Sequence, residues 1–374
     1  PTRTPPPSPT ATPDLRPSPS PTATVVGEAP TKTPLPSASP PTDERTYKVD
    51  TAVNNPDQAP GDGSCRDRGN ACSLRAALDE VNADKRPGLI RIVFAAGLGP
   101  IAIPAGQGLP ALTREQVILD GTAGLASSLS AAPMAAAQAA PGCLASQELT
   151  GPGGGTGLTV SAGQTVVLGL KVSGFDTGIL VSSAATGVRI GSDGDGIRDD
   201  EECNALWDNR AAQVQIDGAR QVWVTGNHLG VQADGDPGKL SRMGVGVQLS
   251  GGASTNVVGS AGTRASKPGR GNRIQNLDMG VLVTGRTTEG NAITGNQIGP
   301  AVAGRWERYA NVTGIRLESS ARGTLIGGTA NGADTPELAN AILFNLRDGV
   351  FMERGVLETS LRGNEIRANR RDGV

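Results

Sequence analysis

Apolar residues along the second half of this chain come in short runs opened by a small residue and closed by a polar turn. Gly280-Val281-Leu282-Val283 and Gly314-Ile315-Arg316-Leu317 are typical. Such runs are too short for helices, and their aliphatic and β-branched content between Gly and Asn predicts strands. The runs recur with a period of 68. Gly178, Gly246 and Gly314 form one column, Gly191, Gly259 and Gly327 a second, and Asn204, Asn272 and Asn340 a third, each spaced by 68. The opening small residue also recurs within the period, at Gly178, Ala212, Gly246, Gly280, Gly314 and Gly349, with spacings of 34, 34, 34, 34 and 35. Gly373 follows after only 24. A step of 24 is read as one bare coil and a step of 34 as a coil carrying a loop. Short strands repeating at one coil's length, with no helix between them, predict an all-β parallel β-helix.

Each coil has one Asn in a small-Asn-x-aliphatic setting: Asn204, Asn227, Asn272, Asn296, Asn340 and Asn364. They are expected to take the left-handed backbone of a tight turn and to bond through their amides to copies above and below. The outward positions of the Gly-Val/Ile strands should be Leu180, Gln215, Gln248, Leu282, Arg316 and Phe351.

The first 42 residues are different material. Pro, Thr and Ser fill 28 of them, 14 as Pro. They cannot build a core and are expected to be a disordered, extended linker or stalk over 1–45, or plain disorder with no mechanical role. A compact module follows over 46–121. Tyr47-Lys48-Val49 reads as a strand. Leu74, Ala77, Leu78 and Val81 put an apolar stripe on one helix face, with Ser73 as N-cap. Strands follow at 89–94, 101–103 and 117–119. Such a helix would cover the open end of a solenoid. An Ala/Ser-rich excursion at 122–143 separates this module from the repeats at 144–374.

Cys72-Ser73-Leu74-Arg75-Ala76-Ala77-Leu78, with Val81-Asn82 after it and Cys65 before it, resembles the motif that names the CSLREA domain. Gly226-Asn227-His228-Leu229-Gly230 and Gly295-Asn296-Gln297-Ile298-Gly299 resemble the repeats that follow it. The resemblance covers about 46–374. It implies a bacterial exported or cell-surface protein with a right-handed parallel β-helix, of the pectate-lyase-like kind. The family has Glu where this chain has Ala76. That Glu would complete a capping box, and its loss should cost the helix at most about 1 kcal/mol. The chain starts at Pro1 without Met and stops at Val374 as another Asp-Gly-Val run begins. A signal or further domain is therefore expected upstream, and more coils downstream.

The four cysteines form an even set, which in an exported chain implies disulfides. A Cys65–Cys72 bridge would close a short loop before the helix, and the resemblance supports it. That leaves Cys143 with Cys203, tying the excursion to the first repeats. Zinc is not expected, since His228 is the single His and the cysteine spacing fits no zinc pattern.

The balance of 34 basic and 36 acidic residues gives no general field for nucleic acid or an anionic membrane. No run of eighteen apolar residues could span a bilayer. Gly is 53 of 374 and aromatics are 2%, as a stack of small aliphatic layers requires.

Specificity should sit in the loops. One type lies between the Ile-Gly strand and the Asn turn, at 192–203, 260–271 and 328–339. The other follows the Asn turn, at 231–245 and 300–313. Loops of one type should line up along the axis. The run from Asp193 to Glu202 resembles EF-hand-like calcium loops, with Asp193, Asp195, the Ile197 carbonyl, Asp199 and Glu202 as candidate ligands. Gly191 stands where the first carboxylate belongs, and a solvated acidic turn is the alternative. In Gly304-Arg305-Trp306-Glu307-Arg308-Tyr309, the aromatics and Arg305 and Arg308 could stack on and hydrogen-bond a sugar, with Arg316 nearby in the outward column. Alternatively Trp306 or Tyr309 pins the loop to the stack.

Pectate lyases and polygalacturonases share the expected architecture, but fold does not imply activity. The outward column holds one charge and no carboxylate pair, so hydrolysis has no acid and base there. His228 shares a column with Gln297 and Glu365 and reads as an exposed turn site. The sequence therefore points to a non-catalytic adhesion module contacting a polysaccharide or cell-surface glycan. A polysaccharide lyase or hydrolase, and a structural spacer without ligand, are the alternatives.

Overall fold

The computed structural model describes residues 44–124, 142–195, 197–237, 242–260, 271–300, 306–328 and 338–374. The expected stalk up to residue 43, most of the Ala/Ser-rich excursion, and Arg305 lie outside the described residues.

Three parallel sheets wrap one core to form a right-handed parallel β-helix. The first sheet has ten strands, from Arg45–Val49 to Ser360–Arg362. The second has nine, from Ile101–Ala102 to Glu365–Arg367. The third has seven, from Thr156–Val160 to Val350–Met352. One coil shows the route. Thr177–Val181 lies in the third sheet, Arg189–Gly191 in the first and Ala205–Trp207 in the second. The chain then re-enters the third sheet at Ala212–Asp217, one strand further on, with Val214 opposite Ile179. Each turn climbs one strand spacing, about 4.8 Å.

That climb stacks like on like. Leu158, Ile179, Val214, Val247, Val281, Ile315 and Val350 form an inward ladder in the third sheet. Val167, Ile190, Val224, Val258, Ile293 and Ile326 do the same in the first sheet. Val172, Leu206, Leu229, Ile274, Ile298 and Ile342 complete the triangle in the second. All are buried in one continuous core. Each fully buried aliphatic contributes roughly 1.5–3 kcal/mol relative to exposure, and no single coil could bury its layer alone.

Two columns differ in detail from the sequence pattern. Opposite Gly178 stands Gln213, not Ala212. The column requires Gly because the strand above passes close: a Cβ on Gly246 would lie 2.4 Å from the Gly280 carbonyl oxygen, and one on Gly280 2.5 Å from that of Gly314. Gln213 is accommodated because its buried amide is paired with Asn209, accepting from Asn209 Nδ2 at 2.8 Å and donating to Asn209 O at 3.0 Å. The asparagine ladder runs through all six expected residues. Asn204, Asn227, Asn272, Asn296 and Asn340 each donate backbone N and Nδ2 to the Oδ1 of the next, ending on Asn364. Each Nδ2 also donates to a carbonyl of the preceding coil, as Asn272 does to Val224 at 2.7 Å. These asparagines do not carry the left-handed backbone. In three of the six coils it falls on the preceding glycine: Gly226, Gly295 and Gly363 have φ of 71°, 66° and 60°.

Two further ladders follow the same logic. Asn311, Asn345 and Asn369 are linked in series, as are Asn256 and Asn291. Their spacings of 34 and 24, and 35, were the available sequence signal.

At the N-terminal end, α1 (Leu74–Ala83) buries Leu74, Ala77, Leu78 and Val81, and Ser73 accepts the Ala76 N–H at 3.0 Å. Buried Glu80 accepts from the N–H groups of Gly61 and Gly63, fixing the preceding loop to the helix. Cys65 is bridged to Cys72 and Cys143 to Cys203.

Candidate functional site

Among the described residues, the chain enters the second sheet at Ala205–Trp207 from the acidic loop and leaves it after His228–Leu229 into residues 231–237. The outward column on the outer face of this sheet reads Glu148, Lys171, Ala205, His228, Arg273, Gln297, Ala341 and Glu365. The middle of this face is partly roofed. Ala205, Trp207 and Ala233 pack against the Cys143–Cys203 bridge, and Cys143 N donates to Ala233 O at 3.2 Å.

His228 follows Ala205 in this column. It does share the column of Gln297 and Glu365, but it is buried rather than exposed. The chain after it folds back, and its Nδ1 lies 3.3 Å from Gln232 O. Burial pushes the imidazole down from 6.5 to about 4, with Arg273 adding to the fall and the Gln232 contact opposing it. The ring is therefore neutral at pH 7, with its hydrogen on Nδ1.

Beside it, Arg273 is half-buried while Ile274 points into the core. Arg273 Nε donates to Gln275 Oε1 at 3.1 Å, and buried Gln275 is itself held by Gly299 O at 3.0 Å. Burial lowers the Arg273 guanidinium, and Tyr309 partly offsets the fall.

The aromatic loop closes the same side. Trp306–Arg308 is a single 3-10 turn, and Tyr309 is half-buried with its carbonyl accepting Asn276 N–H at 2.8 Å. The Trp306 side chain lies outside the described residues. Arg308 pairs with Asp236 at 3.1 Å, and Arg242 donates to Glu307 O. The described parts of the two loops, 231–237 with 242–245 and 306–313, therefore meet along the axis. Arg316 is on the outer face of the third sheet instead, paired with Glu318 and lying 4.9 Å over the Phe351 ring. The outward column there is the expected one, from Leu180 through Gln215, Gln248, Leu282 and Arg316 to Phe351.

The acidic loop gathers some of its candidates and not others. Oxygens of Asp193, Asp199 and Glu202 lie within 4.8 Å of one another. Asp195 instead caps its own turn, accepting Ile197 N–H at 2.6 Å, and the Ile197 side chain is exposed. Ser192 donates to buried Asp199, and Asp193 N–H donates to Glu202 at 3.1 Å. Arg189 lies 3.4 Å from Glu202 and 3.8 Å from Asp193, so a fixed cation already flanks the group. Burial nonetheless raises Glu202, with Arg189 opposing. The three carboxylates fit a hard cation in charge and ligand type, but they form a smaller set than the five expected.

No family model matches this chain, and no curated protein matches it. The resemblance to the CSLREA motif therefore stands on the residues that carry it. Among solved structures, the alginate lyase from Paenibacillus sp. str. FPU-7 aligns with a TM-score of 0.41 at 15% identity, covering 87% of this chain and 97% of that one. A mutant of the periplasmic alginate epimerase AlgG aligns with a TM-score of 0.33 at 13% identity, covering 80% of this chain and 64% of that one. The class of fold rests on the strand register itself. Among the described residues, no helix is long and apolar enough to cross a membrane.

Proposed function

We propose that this chain is an exported β-helix module that contacts a polysaccharide through the outer face of its second sheet without cleaving it. The observation that carries the reading is the composition of that face. It offers the half-buried Arg273 guanidinium, the half-buried Gln297 amide and the half-buried Tyr309, a set that hydrogen-bonds and stacks on sugars. Its one imidazole is held to about 4, a poor base at neutral pH. Two disulfides with no free cysteine fit an oxidising compartment. Calcium at Asp193, Asp199 and Glu202 is a second proposal, supported by their convergence.

Retention on a panel of immobilised acidic and neutral polysaccharides tests the reading. At least one should retain the protein, and failure on every member would leave a spacer or a protein-binding adhesin as the better account.

A further inference from the structure

Of the arginines around the site, Arg242 donates to the Glu307 carbonyl and Arg308 has a carboxylate partner in Asp236. Among the described residues Arg273 has none, and its only hydrogen bond is the one from Nε to Gln275. A guanidinium withdrawn from water without an anion is costly, and a charged ligand would relieve that cost.

The surroundings hold the group in place. Gln275 is buried and pinned to Gly299, so it fixes the Nε edge. The two Nη groups form the free end of a planar fork, the geometry that matches a carboxylate. The absence of a side chain at Gly235 keeps the space beside the fork open, since a Cβ there would lie 2.7 Å from Arg273 Nη1. Tyr309 is near enough to act electrostatically on Arg273.

We infer that Arg273 is the anchor for a carboxylate of an acidic polysaccharide lying on the outer face of the second sheet, with Gln275 as its positioning residue. The inference rests on the glycan-contact reading above and names its ligand class.

Calorimetric titration with polygalacturonate, dextran and poly-glutamate tests it. Wild type should bind polygalacturonate in preference to the other two, more weakly as salt rises. Arg273→Gln should weaken that binding by about tenfold or more, the scale of a lost charge-assisted bidentate contact. Arg220→Gln, at an exposed arginine on another part of the coil, should leave it unchanged. Should Arg273→Gln lose its native circular dichroism, Arg273→Lys keeps charge and stem but removes the fork, and should also bind more weakly. Equal affinity in wild type and the folded Arg273 variant would overturn the inference while leaving glycan contact intact, as would preference for dextran. Equal binding of poly-glutamate would move the site to acidic peptides. No binding to either polysaccharide would sink both readings.

Discussion

His228 makes the stability of this protein depend on pH in a window where few other groups titrate. In the unfolded chain the imidazole titrates near 6.5, and in the fold near 4. Between these values the unfolded state binds the proton and the folded state does not. Stability is therefore fully present above about pH 6.5 and is lost as pH falls toward about 4. Going from about pH 7.5 to about pH 5 removes about 2 kcal/mol, approaching about 3 kcal/mol below pH 4. Glu202 acts with the opposite sign, because burial raises it and its contribution falls as pH rises. The comparison that isolates the imidazole is His228→Gln, since Gln already occupies this column at Gln297 and cannot be protonated. Urea unfolding at several pH values, followed by hydrogen exchange at the coils around His228, reads the difference. Exchange is needed because stacked coils can open separately. The wild type should lose about 2 kcal/mol of local stability that the variant retains. Parallel pH profiles for the two proteins would refute the burial argument.

Other consequences are as direct. Asn272→Ala removes an Oδ1 that accepts two hydrogen bonds and an Nδ2 that makes two more; a local loss of about 3 kcal/mol or more is expected in chemical unfolding, since buried partners are orphaned. Replacing Cys143 and Cys203 by Ala frees a crosslink of separation 60, and chain entropy puts the cost at about 4 kcal/mol, read as a lower urea midpoint. Calcium should slow hydrogen exchange in the 192–203 loop, and Asp199→Asn should abolish the effect; identical exchange with and without calcium would remove the cation proposal.

The repeat was legible because a solenoid prints its geometry on the sequence. Asn204, Asn272 and Asn340 share a column for the same reason that their amides bond in series. The helix cap was readable too, from Ser73 and the stripe it precedes. Ala212 misled because Ala and Gly look alike in a pattern of small residues. Only the register shows that Gln213 takes the glycine position, and that Asn209 makes this tolerable. His228 misled for a different reason. Its column was read correctly, but its burial depends on residues 231–237 folding back over the sheet, and nothing in a polar Gly-rich loop specifies that direction. Arg273 was invisible as a site because an arginine's meaning depends on its partners. Its lack of a carboxylate emerges only once Arg308 is seen to have one. The calcium candidates divide because Asp195 spends its carboxylate on its own turn, a local choice that ligand spacing alone does not register.

The most direct test of the account follows retention and polymer length in one sample. The protein is incubated with polygalacturonate, the bound fraction is measured, and the polysaccharide is sized afterwards. The account predicts bound protein and polymer of unchanged length. Shortened polymer would contradict it, and would send the search for an acid and a base to the carboxylates Glu148 and Glu365 and to Lys171 of the same column.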